Sequence, residues 1–353
     1  MRALFDWRPQ RLPRCVMLLA GVVAGSAHAK ETVPGAQCLH IPDAEQRLAC
    51  FDGAIGAAVG SPVVTESAPA SASLPPPEPV PPPEAGSVRP SLIDTTWGFL
   101  PDSKPAYVRL HQANYLLPVR YTNDVNIAPY EPLFDAFQDD ADFENVEAKF
   151  QLSVKGRLLT SDDRRWGLWF AYSQQSQWQV YGNDISRPFR ETNYVPELFG
   201  SFRPGIEIGG MQWNLLNFGY THQSNGRADP ISRSWDRLFV EAGLEKDNLV
   251  LTARVWTRIE PEDGEDDNPD IVDYYGHGEL NAYYAWHDNR FNLMARGNLD
   301  TGKGAAQFTW ATRPLLGPLR GYLQVFTGYG ESMIDYDWRQ TTIGLGVTLN
   351  ERF

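Results

Sequence analysis

From about residue 110 to the C-terminus the chain alternates, one residue at a time, between apolar and polar or small side chains. A period of two belongs to the β-strand, whose successive side chains point to opposite faces. Between Trp166 and Trp178 the even positions read Trp166, Leu168, Phe170, Tyr172 and Gln174, and the odd ones Gly167, Trp169, Ala171, Ser173 and Gln175. Between Leu249 and Arg258 the odd positions are Leu249, Leu251, Ala253 and Val255, and the even ones include Thr252, Arg254 and Arg258. In a soluble protein the apolar face would form a core. In a porin-like barrel it faces lipid, and the charges line the interior.

The N-terminus bears on that choice. Arg2, Arg8, Arg11 and Arg14 precede an apolar run from Cys15 to Ala24, and Ala27-His28-Ala29 supplies small residues for cleavage. Residues 1–29 therefore read as a secretory signal peptide, too short to span a bilayer. No run of eighteen apolar residues follows, so no transmembrane helix is expected. Yet the chain holds 11 Trp, 15 Tyr and 17 Phe. Export, abundant aromatics and no helical span together point to an all-β, antiparallel transmembrane barrel in the bacterial outer membrane. Ile343, Leu345, Val347, Leu349 and the terminal Phe353 alternate with Gly344, Gly346 and Thr348, a pattern that resembles the assembly signal of such barrels. Roughly twelve strands are expected, starting near 112, 146, 165, 194, 211, 235, 248, 273, 289, 305, 319 and 339. An even number is usual for bacterial barrels, and closure removes exposed strand edges. Trp166, Trp178 and Trp286 fall near strand ends, where an interfacial aromatic belt would sit.

Two cysteines remain after residue 29, Cys38 and Cys50, and an even pair in an oxidising compartment is expected to form a disulfide. Residues 30–60 are read as a small cysteine-containing periplasmic element, 61–96 as a Pro/Ala/Ser-rich linker around Pro75 to Glu84, and 97–353 as the barrel. The net charge of −13 argues against a nucleic-acid partner.

One apolar stripe contains polar residues that need an explanation. Leu216, Phe218, Tyr220, His222 and Ser224 share the outward face of a strand. Asp236, Leu238, Val240 and Ala242 share the outward face of the next, with Arg237, Phe239 and Glu241 pointing inward. His222, Ser224 and Asp236 thus meet across a hairpin. Serine hydrolysis needs a base for the hydroxyl proton and a group that orients the imidazole. Residue pattern alone leaves an interfacial polar patch as an equally good account.

The longer motif separates the two accounts. The run Gly219-Tyr220-Thr221-His222-Gln223-Ser224-Asn225-Gly226-Arg227, then Asp229-Pro230, then Ser232-Arg233-Ser234-Trp235-Asp236-Arg237, closely resembles the signature of outer-membrane phospholipase A. Pro188 to Tyr194, Asp266 to Ile271, and Gly328 to Ser332 with Ile334-Asp335-Tyr336 resemble the same family, in its order, over roughly residues 110–353. The resemblance implies Ser224 as nucleophile, His222 as base and the Gly226 amide as an oxyanion donor. Where the family has Asn, this chain has Asp236, which can also orient histidine but brings a charge close to lipid.

The family also implies calcium. Its ligands map onto Arg227 and Ser232, with Ser186 arriving from a second subunit, and Asp267, with Asp229 as a further candidate, matches a second calcium position. Taken alone, Glu262 to Asp267 is a solvated acidic loop without EF-hand spacing. Gln174 lies in an apolar stripe with Phe170 and Tyr172 as an unpaired amide, and in the family this position pairs across a homodimer. The expected activity is a calcium-dependent hydrolysis of sn-1 and/or sn-2 acyl esters of glycerophospholipids, switched on by dimerisation. The competing readings are a non-enzymatic barrel, pore or structural, for which Asp236 is the only support, and an acyltransferase using the same site. His40, His111, His277 and His287 are read as surface or interior residues.

Overall fold

The computed structural model describes residues 91–353 apart from 107, 133–142, 183–187 and 262–265, together with Cys38, Ile41, Gln46, Ala49 and Cys50. The signal peptide, residues 51–90 of the element and linker, and Ser186 lie outside the described residues. The chain divides into two units, residues 1–82 and 83–353. In the first, Cys38 and Cys50 form the expected disulfide, with their Cα atoms 5.7 Å apart.

In the second unit the alternating segments form antiparallel strands. These are β1 (Val108–Leu110), β2 (Asn114–Thr122), β3 (Val146–Thr160), β4 (Trp166–Trp178), β5 (Phe189–Phe202), β6 (Ile206–Ile208), β7 (Met211–Ser224), β8 (Ser234–Lys246), β9 (Leu249–Ile259), β10 (Gly278–Trp286), β11 (Asn289–Asn298), β12 (Lys303–Leu316), β13 (Leu319–Tyr329) and β14 (Arg339–Asn350). Neighbours pair in chain order, β14 pairs with β2, and β3 pairs with both β2 and β4, so twelve strands close into a barrel. The short β1 and β6 lie outside that circuit, on β3 and β7. Two expected starts move by five residues, and the rest fall within two. The strand placed at 194 begins at Phe189, and the one placed at 273 begins at Gly278 because Ile271–Tyr275 forms a short helix.

The period-two pattern does what a bilayer requires. On β4, Trp166 and Phe170 are exposed while Trp169 and Ala171 are buried, and on β14 Ile343, Leu345 and Leu349 are exposed. The outward surface is a wall of large apolar side chains, which suits lipid and would be a liability in water. The interior is polar and paired. Arg120 joins Glu147 at 2.7 Å and also Glu331, Lys149 joins Glu331 at 2.8 Å, and Arg190 bridges Glu147 at 3.1 Å and Asp335 at 3.2 Å. Buried charges are tolerated when partners satisfy them, and here each carboxylate faces at least one cation.

The two rims differ. At one end the strands are separated by long intervals in sequence, residues 123–145, 179–188, 225–233, 260–277 and 330–338. At the other end the turns are short, such as 247–248, 287–288 and 317–318. A short helix that begins within the stretch expected to be linker packs inside this second end. Leu92–Trp97 is a helix whose N-terminus is held by Glu245, which accepts from Ser91 Oγ at 2.5 Å and from the Leu92 amide at 2.6 Å. Asp94 takes Arg203 in a two-pronged pair, and Trp97, fully buried, meets Trp169 and Phe199 edge-on inside the barrel. The apolar residues Leu92, Ile93 and Trp97 pack into the interior aromatic cluster. Phe353 also departs from expectation. The last strand ends at Asn350, and the Phe353 ring packs against Tyr283, 5.0 Å between centroids, rather than on the outward stripe.

Candidate active site

The hairpin β7–β8 fixes the register of the polar residues. His222 lies directly opposite Asp236, Ser224 opposite Ser234, and Tyr220 opposite Leu238. His222 Nδ1 is 2.8 Å from Asp236 Oδ1, and the Tyr220 hydroxyl donates to the same oxygen. With Nδ1 engaged, Nε2 remains for the Ser224 hydroxyl two residues along the same face. No hydrogen bond joins Ser224 to His222 among the described residues; their Cα atoms sit at the alternate-residue spacing of about 6.5–7 Å. In serine hydrolases such a contact is often long before substrate arrives. The His222 and Asp236 side chains are 34% and 37% exposed, so the pair is open to whatever covers the outer wall. A carboxylate there is affordable because the site lies at a strand end. The cost of a charge on the lipid face falls from about 2–4 kcal/mol at mid-bilayer to about 0–1 kcal/mol near the interface, and acidic groups cost less than basic ones.

The loop after Ser224 carries the remaining candidates. Gly226 has φ +64°, the left-handed region, and an added Cβ would stand 3.0 Å from the Tyr194 ring. Tyr194 on β5 is also the register partner of Ser224. Ser232 donates its hydroxyl proton to Asp267 Oδ2 at 2.6 Å, which ties the loop to the acidic connection 260–277. Its carbonyl accepts from the Arg233 guanidinium at 2.6 Å. Arg227 donates to the Phe189 carbonyl at 2.9 Å. Asp229 is exposed in the turn before Ser232. Among the described residues no group of three His, Cys, Asp or Glu side chains is placed to hold a metal ion. What the loop does offer is oxygen alone: backbone carbonyls, the Ser232 hydroxyl and the Asp267 carboxylate. That chemistry suits a hard cation such as calcium, bound weakly.

Residues 101–349 match the sequence model of the phospholipase A1 family. The chain belongs to the phospholipase A1 family. Relatives in it include phospholipase A1 of Klebsiella pneumoniae, 36% identical over 249 residues covering 69% of this chain and 82% of that one. Phospholipase A1 of Escherichia coli K12 is 37% identical over 249 residues, 69% of this chain and 81% of that one. A putative phospholipase A1 of Neisseria meningitidis is 38% identical over 253 residues, and the chain spans 65% of that longer protein. Among solved structures, the outer membrane phospholipase A of E. coli superposes with a TM-score of 0.64 at 35% identity, covering 70% of this chain and 99% of that one. The Salmonella typhi outer membrane phospholipase, a dimer with bound calcium, gives 0.65 at 34% identity, covering 76% and 100%. The phospholipase A1 family barrel therefore spans the outer membrane with strands.

Against this family background three features stand out. Gln174, expected to be an unpaired amide, is satisfied within its own strand, where it accepts from Tyr172 at 3.1 Å and donates to Ser176 at 3.4 Å. Three neighbours on one face at a spacing of two residues can hydrogen-bond along a strand, which pattern reading overlooked. Tyr220 was also missed, although its place two residues before His222 on the outward stripe is visible in the sequence. His111 is an interior residue, with Nε2 3.0 Å from Glu197, and His277 and His287 are exposed.

Proposed function

We propose that the chain is a calcium-dependent serine phospholipase of the outer membrane. It would cleave sn-1 and/or sn-2 acyl esters of glycerophospholipids, with Ser224 as nucleophile, His222 as base and Asp236 as the group that orients it. The observation that carries the assignment is the His222–Asp236 bond of 2.8 Å on a lipid-facing stripe that Ser224 shares. An acyl ester lying along that wall has its carbonyl at the rim and its chain against Phe218 and Leu238, both exposed apolar residues.

The steps follow from the residues. Ser224 Oγ attacks the ester carbonyl while His222 Nε2 takes the hydroxyl proton. The developing oxyanion is met by the Gly226 amide. Collapse expels the lysophospholipid alkoxide, which takes the proton back from His222. Water then adds to the acyl-enzyme with His222 again as base, and the fatty acid leaves as Ser224 Oγ is reprotonated. Asp236 holds the imidazole orientation and balances its charge when protonated. Calcium, when bound, would supply electrostatic stabilisation of the oxyanion; the Arg227 and Ser232 carbonyls would hold it, with Ser186 of a second copy completing the set, and Asp267 would serve the second calcium position. Bound calcium and the dimer of the S. typhi relative support this part of the reading. Gln174 would exchange its own-strand partners for the second copy in a homodimer.

The segment assignments enter the same proposal. Residues 1–29 would direct export, 30–60 form the disulfide element, 61–96 link it to the barrel, and 97–353 carry the activity, with the Leu92–Trp97 helix spanning the junction of linker and barrel. The test is fatty-acid release from mixed micelles by refolded protein, with calcium or chelator, beside Ser224→Ala. Calcium-dependent release that vanishes in the variant supports the enzyme. No release from folded, dimer-competent protein would move the assignment to a non-enzymatic barrel.

A further inference from the structure

Asn225, between the Ser224 nucleophile and the Gly226 amide, is 2% exposed and turned away from lipid. A carboxamide can accept two hydrogen bonds and donate two. Asn225 makes all four. Its Oδ1 accepts from the Arg227 amide at 3.2 Å and from the Arg233 amide at 3.0 Å. Its Nδ2 donates to the Ile231 carbonyl at 2.7 Å and to Glu191 Oε2 at 3.5 Å. Its own amide donates to the Arg233 carbonyl at 3.0 Å. One side chain thus joins both ends and the far side of the loop 225–233 and anchors it to β5.

The anchor extends further. Glu191 Oε1 accepts from Asn193 at 2.7 Å and from the Ile334 amide at 3.2 Å, and Asn193 Oδ1 accepts from the Met333 amide at 2.9 Å. The loop behind Ser224 is therefore fastened through Glu191 and Asn193 to the loop 330–338. The same loop carries the Gly226 amide, the Arg227 carbonyl and Ser232, all of which must keep fixed distances from Ser224 if they are to act together.

Building on the phospholipase reading, we infer that Asn225 is a positioning residue whose carboxamide sets the loop that aims the Gly226 amide and the calcium oxygens at the reacting carbonyl. It touches neither substrate nor ion. Oxyanion donors act only when held in place before the reaction, and removing one typically lowers turnover by about 100-fold or more. Groups that orient metal ligands from behind typically change metal affinity by about 10–100-fold.

The experiment uses the full-length refolded chain in micelles. Wild type, Ser224→Ala and Asn225→Ala are compared for fatty-acid release, for calcium binding by calorimetry with calcium chloride alone, and for folded fraction by heat-modifiable electrophoretic mobility. Amide exchange of the 225–233 peptide is followed in wild type. The expected result is a folded Asn225→Ala whose kcat falls about 100-fold, with KM within about twofold and calcium affinity weakened about 10-fold. In wild type the Arg227 and Arg233 amides should exchange as slowly as those of the adjoining strands. Fast exchange of those amides overturns the inference even if Asn225→Ala does not fold. Unchanged kcat and calcium affinity in a folded variant overturn it as well. If wild type releases no fatty acid, or Ser224→Ala releases as much, the phospholipase reading fails and takes the inference with it.

Discussion

His222 and Asp236 stand on different strands, and the register of one hairpin brings them to 2.8 Å. Their roles can be separated by substitution. Ser224→Ala is expected to abolish calcium-dependent release while leaving the barrel intact, since a hydroxyl on the outer face contributes little to folding. Asp236→Asn keeps an acceptor oxygen for Nδ1–H and should hold kcat within about 10-fold of wild type. Asp236→Ala removes the orienting group and should lose about 100-fold or more, a large share of what a positioned base supplies. Initial rates on micellar phospholipid, with folded fraction measured alongside, check the series. An Asp236→Ala as active as wild type would show that Tyr220 and the strand alone orient the imidazole.

At the scale of the element, the barrel wall depends on what fills it. Glu331, in the connection after β13, faces both Arg120 and Lys149, and these cations hold its carboxyl far below the usual carboxylate range against the opposing effect of burial. Glu331→Ala would leave two buried cations short of a partner, at a cost of about 3–5 kcal/mol. The urea midpoint of the refolded barrel should fall, with Glu331→Gln in between. At the site's own loop, Gly226→Ala places a side chain in the left-handed region, which costs about 1–2 kcal/mol, and against Tyr194. The loop should shift before the barrel melts. Turnover is therefore expected to drop while heat-modifiable mobility stays as in wild type.

For the whole molecule, the segment packed inside the short-turn rim matters most. Trp97 sits under the Lys155 ammonium, 3.3 Å from the ring centroid, and Arg157 donates to the Gly98 carbonyl at 2.7 Å. With this segment in place and the interior cross-linked by ion pairs, refolded protein in a planar bilayer should show no steady ion conductance. Discrete open channels would instead favour the pore reading. Beside Trp97 lies His111, between β1 and β2, which burial holds down at about 4 from an ordinary 6.5 although Glu197 pulls the other way and Lys155 and Arg352 add to the depression. The folded chain thus keeps His111 neutral where the unfolded chain binds a proton. As pH falls from 6.5 towards 4, the unfolded state gains that proton first, so stability declines across this window, by up to ~3 kcal/mol. Thermal melts at about pH 7 and about pH 5 should differ less in His111→Gln than in wild type.

Much of this protein could be read from residue order. The alternation of Leu, Phe and Trp with small or charged residues dictated strands, and strands with one apolar face and buried charges on the other suit a closed barrel in lipid. That face assignment put His222, Ser224 and Asp236 on one surface, because side-chain direction depends only on parity along a strand. Other features depend on groups far apart in the chain. The four bonds of Asn225, the partners of Gln174 and the Ser232–Asp267 link arise from loop geometry, which no periodicity encodes. The inward turn of Phe353 onto Tyr283 and the packing of Leu92–Trp97 inside the rim required a cavity of the right shape, and that shape exists only once twelve strands have closed around it. Local sequence determined which way each side chain points along a strand, and tertiary closure decided which of them meet, because those contacts join strands and loops whose separation is set only when the barrel forms.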